Sequence, residues 1–157
     1  MLADEYPYLV PSPQAQAIAN VTVPIEDFLF READSGRIKL HFKAIPRRML
    51  LHGHCNQKAL FGTARTKAAL KLMPDCAVDE VETSCCGMAG SFGYETEHYD
   101  LSIKLAEMLL APAVRAAPEG MIVVAPGTSC REQITHTTGR APLHPIEVLA
   151  DALSDGD

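Results

Sequence analysis

The sequence predicts an α/β layered domain with a mainly parallel sheet flanked by helices. Short apolar runs alternate with longer stretches of helical periodicity along most of the chain. The clearest run, Met121 to Ala125, is apolar without interruption, as expected of a strand covered on both faces. Gly and Pro fall at many of the boundaries between these runs.

Residues 1–45 read as an N-terminal extended segment followed by a helix packing on the domain. Residues 46–157 read as the α/β domain itself. Tyr6 to Pro13 is punctuated by Pro7, Pro11 and Pro13 and reads as extended. Pro24 to Glu32 then has Pro at the first helical position and Glu26 and Asp27 in the first turn, with Gly36 as its stop. Arg48 to His52 is the first strand candidate. Lys58 to Met73 follows as a helix, with Leu60, Ala64, Ala68 and Leu72 near helical spacing and Pro74 just beyond. Ala77 to Thr83 is the second strand candidate. Glu97 to Ala117 is a long helix that Pro112 should kink or divide. After the strand at 121–125, a short helix is expected beyond Cys130, and Pro145 to Leu153 forms the last one.

The 157 residues carry a formal charge of −6, with 47% apolar and 22% charged residues, the composition of a globular protein of one domain. No cluster of Lys or Arg offers nucleic acid or an anionic surface a footing. No apolar run approaches the ~20 residues of a membrane span. Met1 to Val10 lacks the basic and apolar regions of a signal peptide, so the expected location is cytoplasmic.

Five cysteines, an odd count with two adjacent, do not suit a secreted disulfide framework. Cys55, the pair Cys85 and Cys86, and Cys130 each follow a predicted strand. In an open parallel sheet such loops share the carboxyl edge, where ligands bind. Four sulfurs from three segments should therefore meet there. Cys76, on the far side of a strand from Cys85, belongs at the opposite edge as a bystander. Four thiolates suit a cubane iron–sulfur cluster. Gly87, Gly90 and Gly93 would let backbone amides approach the sulfurs. A zinc site of four cysteines, or of three cysteines with His54 as the fourth ligand, remains open, although the usual short C-x2–4-C knuckles are missing. So do thiol–disulfide chemistry at Cys85 and Cys86, and a metal-free structural domain. His52 and His54 straddle Gly53 and could face the same site, but loop histidines bonded to backbone are the more ordinary outcome. His136 and His144 read as surface or capping groups. Gly87 to Gly93 lacks the Lys of a P-loop and the spacing of a dinucleotide site.

Three motifs, His52-Gly53-His54-Cys55, Cys85-Cys86-Gly87-Met88-Ala89-Gly90-Ser91-Phe92-Gly93 and Gly127-Thr128-Ser129-Cys130-Arg131-Glu132-Gln133, together resemble the CCG cysteine-rich domain. That domain occurs in the B subunit of heterodisulfide reductase and in the iron–sulfur subunit of glycolate oxidase. The chain is most similar to the C-terminal region of FAD-linked oxidases with a fused iron–sulfur part, over about Asp4 to Leu153. The resemblance implies a Rossmann-like domain holding a [4Fe-4S] cluster on Cys55, Cys85, Cys86 and Cys130, with Gly87, Gly90 and His54 around the cofactor. It also implies electron transfer within an FAD-linked oxidoreductase of 2-hydroxy acids of the lactate or glycolate type. FAD would sit on a flavin-containing dehydrogenase domain or subunit, beside a companion iron–sulfur domain. Such partners could hold the chain at the periphery of the inner membrane, and the chain itself would carry no catalytic residue. Two positions depart from the family. Gln133 stands where the closing C-x-x-C has its second cysteine, and Asn56 stands where a histidine is expected.

Overall fold

The computed structural model describes residues 1–82 and 85–154. Three parallel strands form the sheet: β1 (Arg47–Leu51), β2 (Cys76–Glu80) and β3 (Ile122–Val124), in the order β2-β1-β3. Register runs Arg47 to Cys76 through Leu51 to Glu80 on one side of β1, and Met49 to Ile122 through Leu51 to Val124 on the other. Thr83, the last residue expected of the second strand, lies outside the described residues.

Side chains of a strand alternate between faces, so the apolar runs feed two cores. Leu50 and Val123 point to one face, where they meet Leu110, Val114 and Ile134, together with Cys86 and Cys130. Met49, Leu51 and Val124 point to the other, against Leu70, Val148 and Leu149. Helices α7 (Leu110–Ala116) and α8 (Thr128–Thr138) thus cover one face, and α5 (Ala64–Leu70) and α9 (Pro145–Ala152) the other. This is the layered α/β arrangement the alternation of runs predicts.

Several boundaries differ from the sequence reading, each for a local reason. The N-terminal segment holds two helices, α1 (Glu5–Leu9) and α2 (Pro13–Val21), where an extended chain was expected. Pro7 and Pro13 sit in first turns, where a missing N–H costs nothing, and the Ser12 hydroxyl accepts from the Ala15 amide as N-cap. Helix α3 (Ile25–Asp34) then follows, and its Leu29 and Phe30 pack on the second core. The helix expected over 58–73 is two, α4 (Cys55–Leu60) and α5, because Gly62 turns left-handed at φ +70° after the first. The long helix expected over 97–117 divides into α6 (Tyr99–Met108) and α7. The break falls at Leu109 (φ −146°), just after Met108, whose carbonyl Pro112 has no N–H to reach. Helix α8 begins at Thr128, so Cys130 lies in its first turn and not ahead of it.

Candidate metal centre

All three loops that leave the carboxyl ends of the strands reach one place. At the end of β1, the His52 amide donates to the Val124 carbonyl at 2.8 Å, which carries the strand one residue further before the chain turns. Strand alternation puts His52 on the face of Leu50, and its side chain is fully buried there. Cys55 opens α4 and lies toward the surface. After β2, Cys85 is exposed and Cys86 buried. After β3, Cys130 sits in the first turn of α8 and is fully buried. Its position is pinned from behind by Arg131, whose guanidinium donates to the carbonyls of Ala125 (3.0 Å) and Pro126 (2.9 Å).

The inner part of the site is a compact donor group. The Cys130 thiol donates to the Cys86 sulfur at 3.2 Å. A ring nitrogen of His52 and these two sulfurs all lie within 4.8 Å of one another. The Cys130 bond holds Cys86 well below the usual thiol range against the effect of burial, with the nearby His52 ring and the Met88 amide helping. Cys130 is correspondingly pushed up, first by the hydrogen bond it donates to Cys86, then by burial and by the charges of Cys86, Cys55 and Cys85. Cys55 is also raised, by partial burial and by the neighbouring Cys85 and Cys86, while Lys58 pulls it the other way. Cys55 and Cys130 thus resist ionising through burial and because other sulfurs are close. A metal relieves that conflict, since it needs the ligands deprotonated.

The remaining residues singled out in the sequence take several positions. The Gly87 amide donates to the Cys85 sulfur at 3.3 Å, a backbone-to-sulfur bond of the expected kind. Gly87 is buried against the Ser102 backbone, whereas Gly90 is exposed with open space around its Cα. His54 is the N-cap residue of α4, and its ring lies over Gly127, where a Cβ would come 2.5 Å from Cδ2. With Asn56, Gln57, Glu26 and Gly127 it lines a cavity of about 260 Å³ beside the sulfurs. Cys76 starts β2 opposite Arg47, at the other end of the strands, and its thiol is raised by burial. His144 caps α9: its Nδ1 accepts from the Ile146 amide at 3.1 Å.

Gln133 is buried, and its amide donates to the Ser102 carbonyl (3.2 Å) and hydroxyl (2.8 Å). Sequence reasoning missed Ser102, which links α6 to α8 and whose hydroxyl also lies 3.6 Å from the Met88 sulfur. Nothing in its own neighbourhood in the sequence marks it. His52 carried a usable signal, the period-two alternation that places it with Leu50.

The donors fit a thiolate-bound metal. Sulfur and imidazole suit zinc, iron and iron–sulfur clusters and do not suit magnesium or calcium. Among the described residues His52 also has neither ring nitrogen hydrogen-bonded, an uncommon state for a buried polar group and one that a ligand would explain.

The chain is 28% identical over 155 residues to the C subunit of the anaerobic glycerol-3-phosphate dehydrogenase of Escherichia coli (strain K12), covering 98% of this chain and 38% of that protein. It is 30% identical over 102 residues to the D-2-hydroxyglutarate dehydrogenase of the same organism, covering 64% of this chain and 10% of that protein. The D-2-hydroxyglutarate dehydrogenase of Pseudomonas putida is 29% identical over 113 residues, covering 68% and 10%. The chain therefore spans well under half the length of these curated relatives. No family model and no solved structure matches it.

Proposed function

We propose that this chain is an iron–sulfur electron-transfer domain of an FAD-linked dehydrogenase, relaying electrons from a flavin domain or subunit. The observation that carries the reading is the meeting of Cys86 and Cys130 at 3.2 Å within a group that also includes Cys55 and Cys85. These four thiols would hold a [4Fe-4S] cluster, with residues 46–157 as the cluster domain and 1–45 as an N-terminal attachment. When bound, the cluster would accept and release single electrons. The chain would bind it through the four sulfurs, bury one side of it against the sheet edge, and donate the Gly87 amide to Cys85. Gly90 would shape the turn, and His54 would flank the site.

The relatives support the setting. Both are dehydrogenases by name, one of glycerol-3-phosphate and one of a 2-hydroxy acid. A substrate of the 2-hydroxy-acid class, lactate and glycolate included, would be oxidised at a flavin on a partner domain. A companion iron–sulfur domain would complete the relay. Among the described residues no helix is long and apolar enough to cross a membrane; association with a membrane through partner subunits would suit such a relay.

Anaerobic reconstitution with iron and sulfide tests this reading. Visible absorption, EPR of the reduced protein and metal analysis should report about four irons and four sulfides per chain. Replacing Cys86 or Cys130 with Ser should abolish the signal, and replacing Cys76 should not. A colourless protein with one tightly held zinc would support the second reading, a structural zinc site. The mutual closeness of His52, Cys86 and Cys130 favours that reading, since a further thiol would complete a set of three cysteines and one histidine.

A further inference from the structure

His52 is the buried group the four-thiol site leaves unexplained. It is fully buried at the end of β1, and among the described residues neither of its ring nitrogens has a hydrogen-bond partner. A neutral imidazole presents one donor and one acceptor, and burial deprives both of water. Its ring is not free to look elsewhere. The backbone bond to Val124 fixes the residue, and strand alternation fixes the face. On that face one nitrogen lies within 4.8 Å of both Cys86 and Cys130 sulfurs.

The other candidates for an extra ligand are engaged. Gln133 is turned to Ser102 by two hydrogen bonds. The His54 ring packs over Gly127 and faces the cavity it shares with Asn56 and Glu26.

We propose that His52 ligates the metal through one ring nitrogen, alongside Cys86 and Cys130. The inference rests on the metal centre of the preceding section and puts a nitrogen in place of one outer thiol, Cys55 or Cys85, since a cubane cluster offers four terminal positions, one on each iron. Imidazole donates less charge than thiolate, so a cluster with a His ligand has a higher reduction potential than its all-cysteine counterpart, as Rieske centres do.

The test uses the full chain with natural-abundance or 15N-labelled histidine, reconstituted anaerobically with iron and sulfide. Pulsed EPR of the reduced cluster should show a directly bonded histidine nitrogen whose coupling changes with the label. His52→Cys should lose that coupling and keep a cluster, and His54→Gln should keep both. A cluster with no histidine nitrogen coupling, or with one that survives in His52→Cys, overturns the ligand assignment and leaves the electron-transfer reading standing. If no cluster assembles, the electron-transfer reading fails and His52 is judged on zinc. Its ring 15N signal should then shift on addition of one equivalent. No shift, or no zinc uptake at all, overturns the assignment.

Discussion

Gly87→Ala separates two roles that glycines beside a metal site can play. Gly87 has φ +85°, so any side chain there incurs the left-handed penalty of about 1–2 kcal/mol. A Cβ would also press on the Ser102 carbonyl oxygen and lie 2.9 Å from its carbon and 3.0 Å from its Cα. Those are backbone atoms of α6, which cannot rotate aside as a side-chain tip could. Overpacking of this kind costs about 1–3 kcal/mol, so the total is roughly 2–5 kcal/mol. Gly90 supplies the control, because it too is left-handed at φ +74° but has no atom of the described residues within 4 Å of a built Cβ. Gly90→Ala should cost only the backbone part, about 1–2 kcal/mol. Urea unfolding of the reduced, metal-free proteins, followed by far-UV circular dichroism, should therefore rank wild type above Gly90→Ala and Gly90→Ala above Gly87→Ala. The gap between the variants should be about 1–3 kcal/mol at equal m-value. Stability equal within about 0.5 kcal/mol for the two variants would refute the reasoning, because the Ser102 contact would then carry no energy.

Three further outcomes follow from the same contacts. Gln133→Ala removes both bonds to Ser102 and leaves its buried hydroxyl and carbonyl short of a donor, so it should destabilise by about 1–3 kcal/mol in the same unfolding assay. The pKa of His144 is held below its ordinary value, first by burial and then by Arg131, against the pull of Glu26 and Glu147. The unfolded chain therefore takes up the proton first, and the contribution of His144 is complete above pH 6.5 and is lost as pH falls from there through the folded value. His144→Asn, which keeps a capping side chain, should lose less stability than wild type between about pH 7.5 and about pH 5.5, and an equal loss would contradict the assignment. In the metal-free chain, mass spectrometry after brief iodoacetamide treatment should find Cys55 and Cys85 modified before Cys86 and Cys130. Access outweighs thiolate character here, so early modification of Cys86 would count against its burial.

The layered fold and the convergence of the cysteines were legible because both follow from period. Runs such as 121–125, short and bounded by Gly120 and Pro126, read as covered strands, and a parallel order sends every following loop to one edge. Boundaries were legible only where the local chemistry was unambiguous. Pro7 and Pro13 read as breakers, yet each lies in a first turn, and no local signal separates those uses of proline. Pro112 was expected to act where it stands. Its effect falls upstream, at the carbonyl it leaves unpaired. Ser102 and Gln133 were illegible for another reason. Their pairing joins α6 to α8 across 31 positions, and a contact between helices leaves no trace in the spacing of either one. The division between buried Cys86 and exposed Cys85 was equally hidden, since adjacent residues in an irregular loop follow no fixed period.

That division bears on the choice between zinc and an iron–sulfur centre. Structural zinc sites are closed, with four ligands and no open position. Here Cys86, Cys130 and His52 face the core, while Cys55 and Cys85 lie at the surface. A group held among these side chains would have one side sealed against the sheet edge and the other open toward whatever packs on α4 and the loop after β2. A purely structural metal gains nothing from that open side. An electron carrier needs it, because the exposed ligands set the shortest path to a partner's cofactor. A half-open thiolate centre is thus better matched to a relay that works against another domain than to a clip that merely holds this one together.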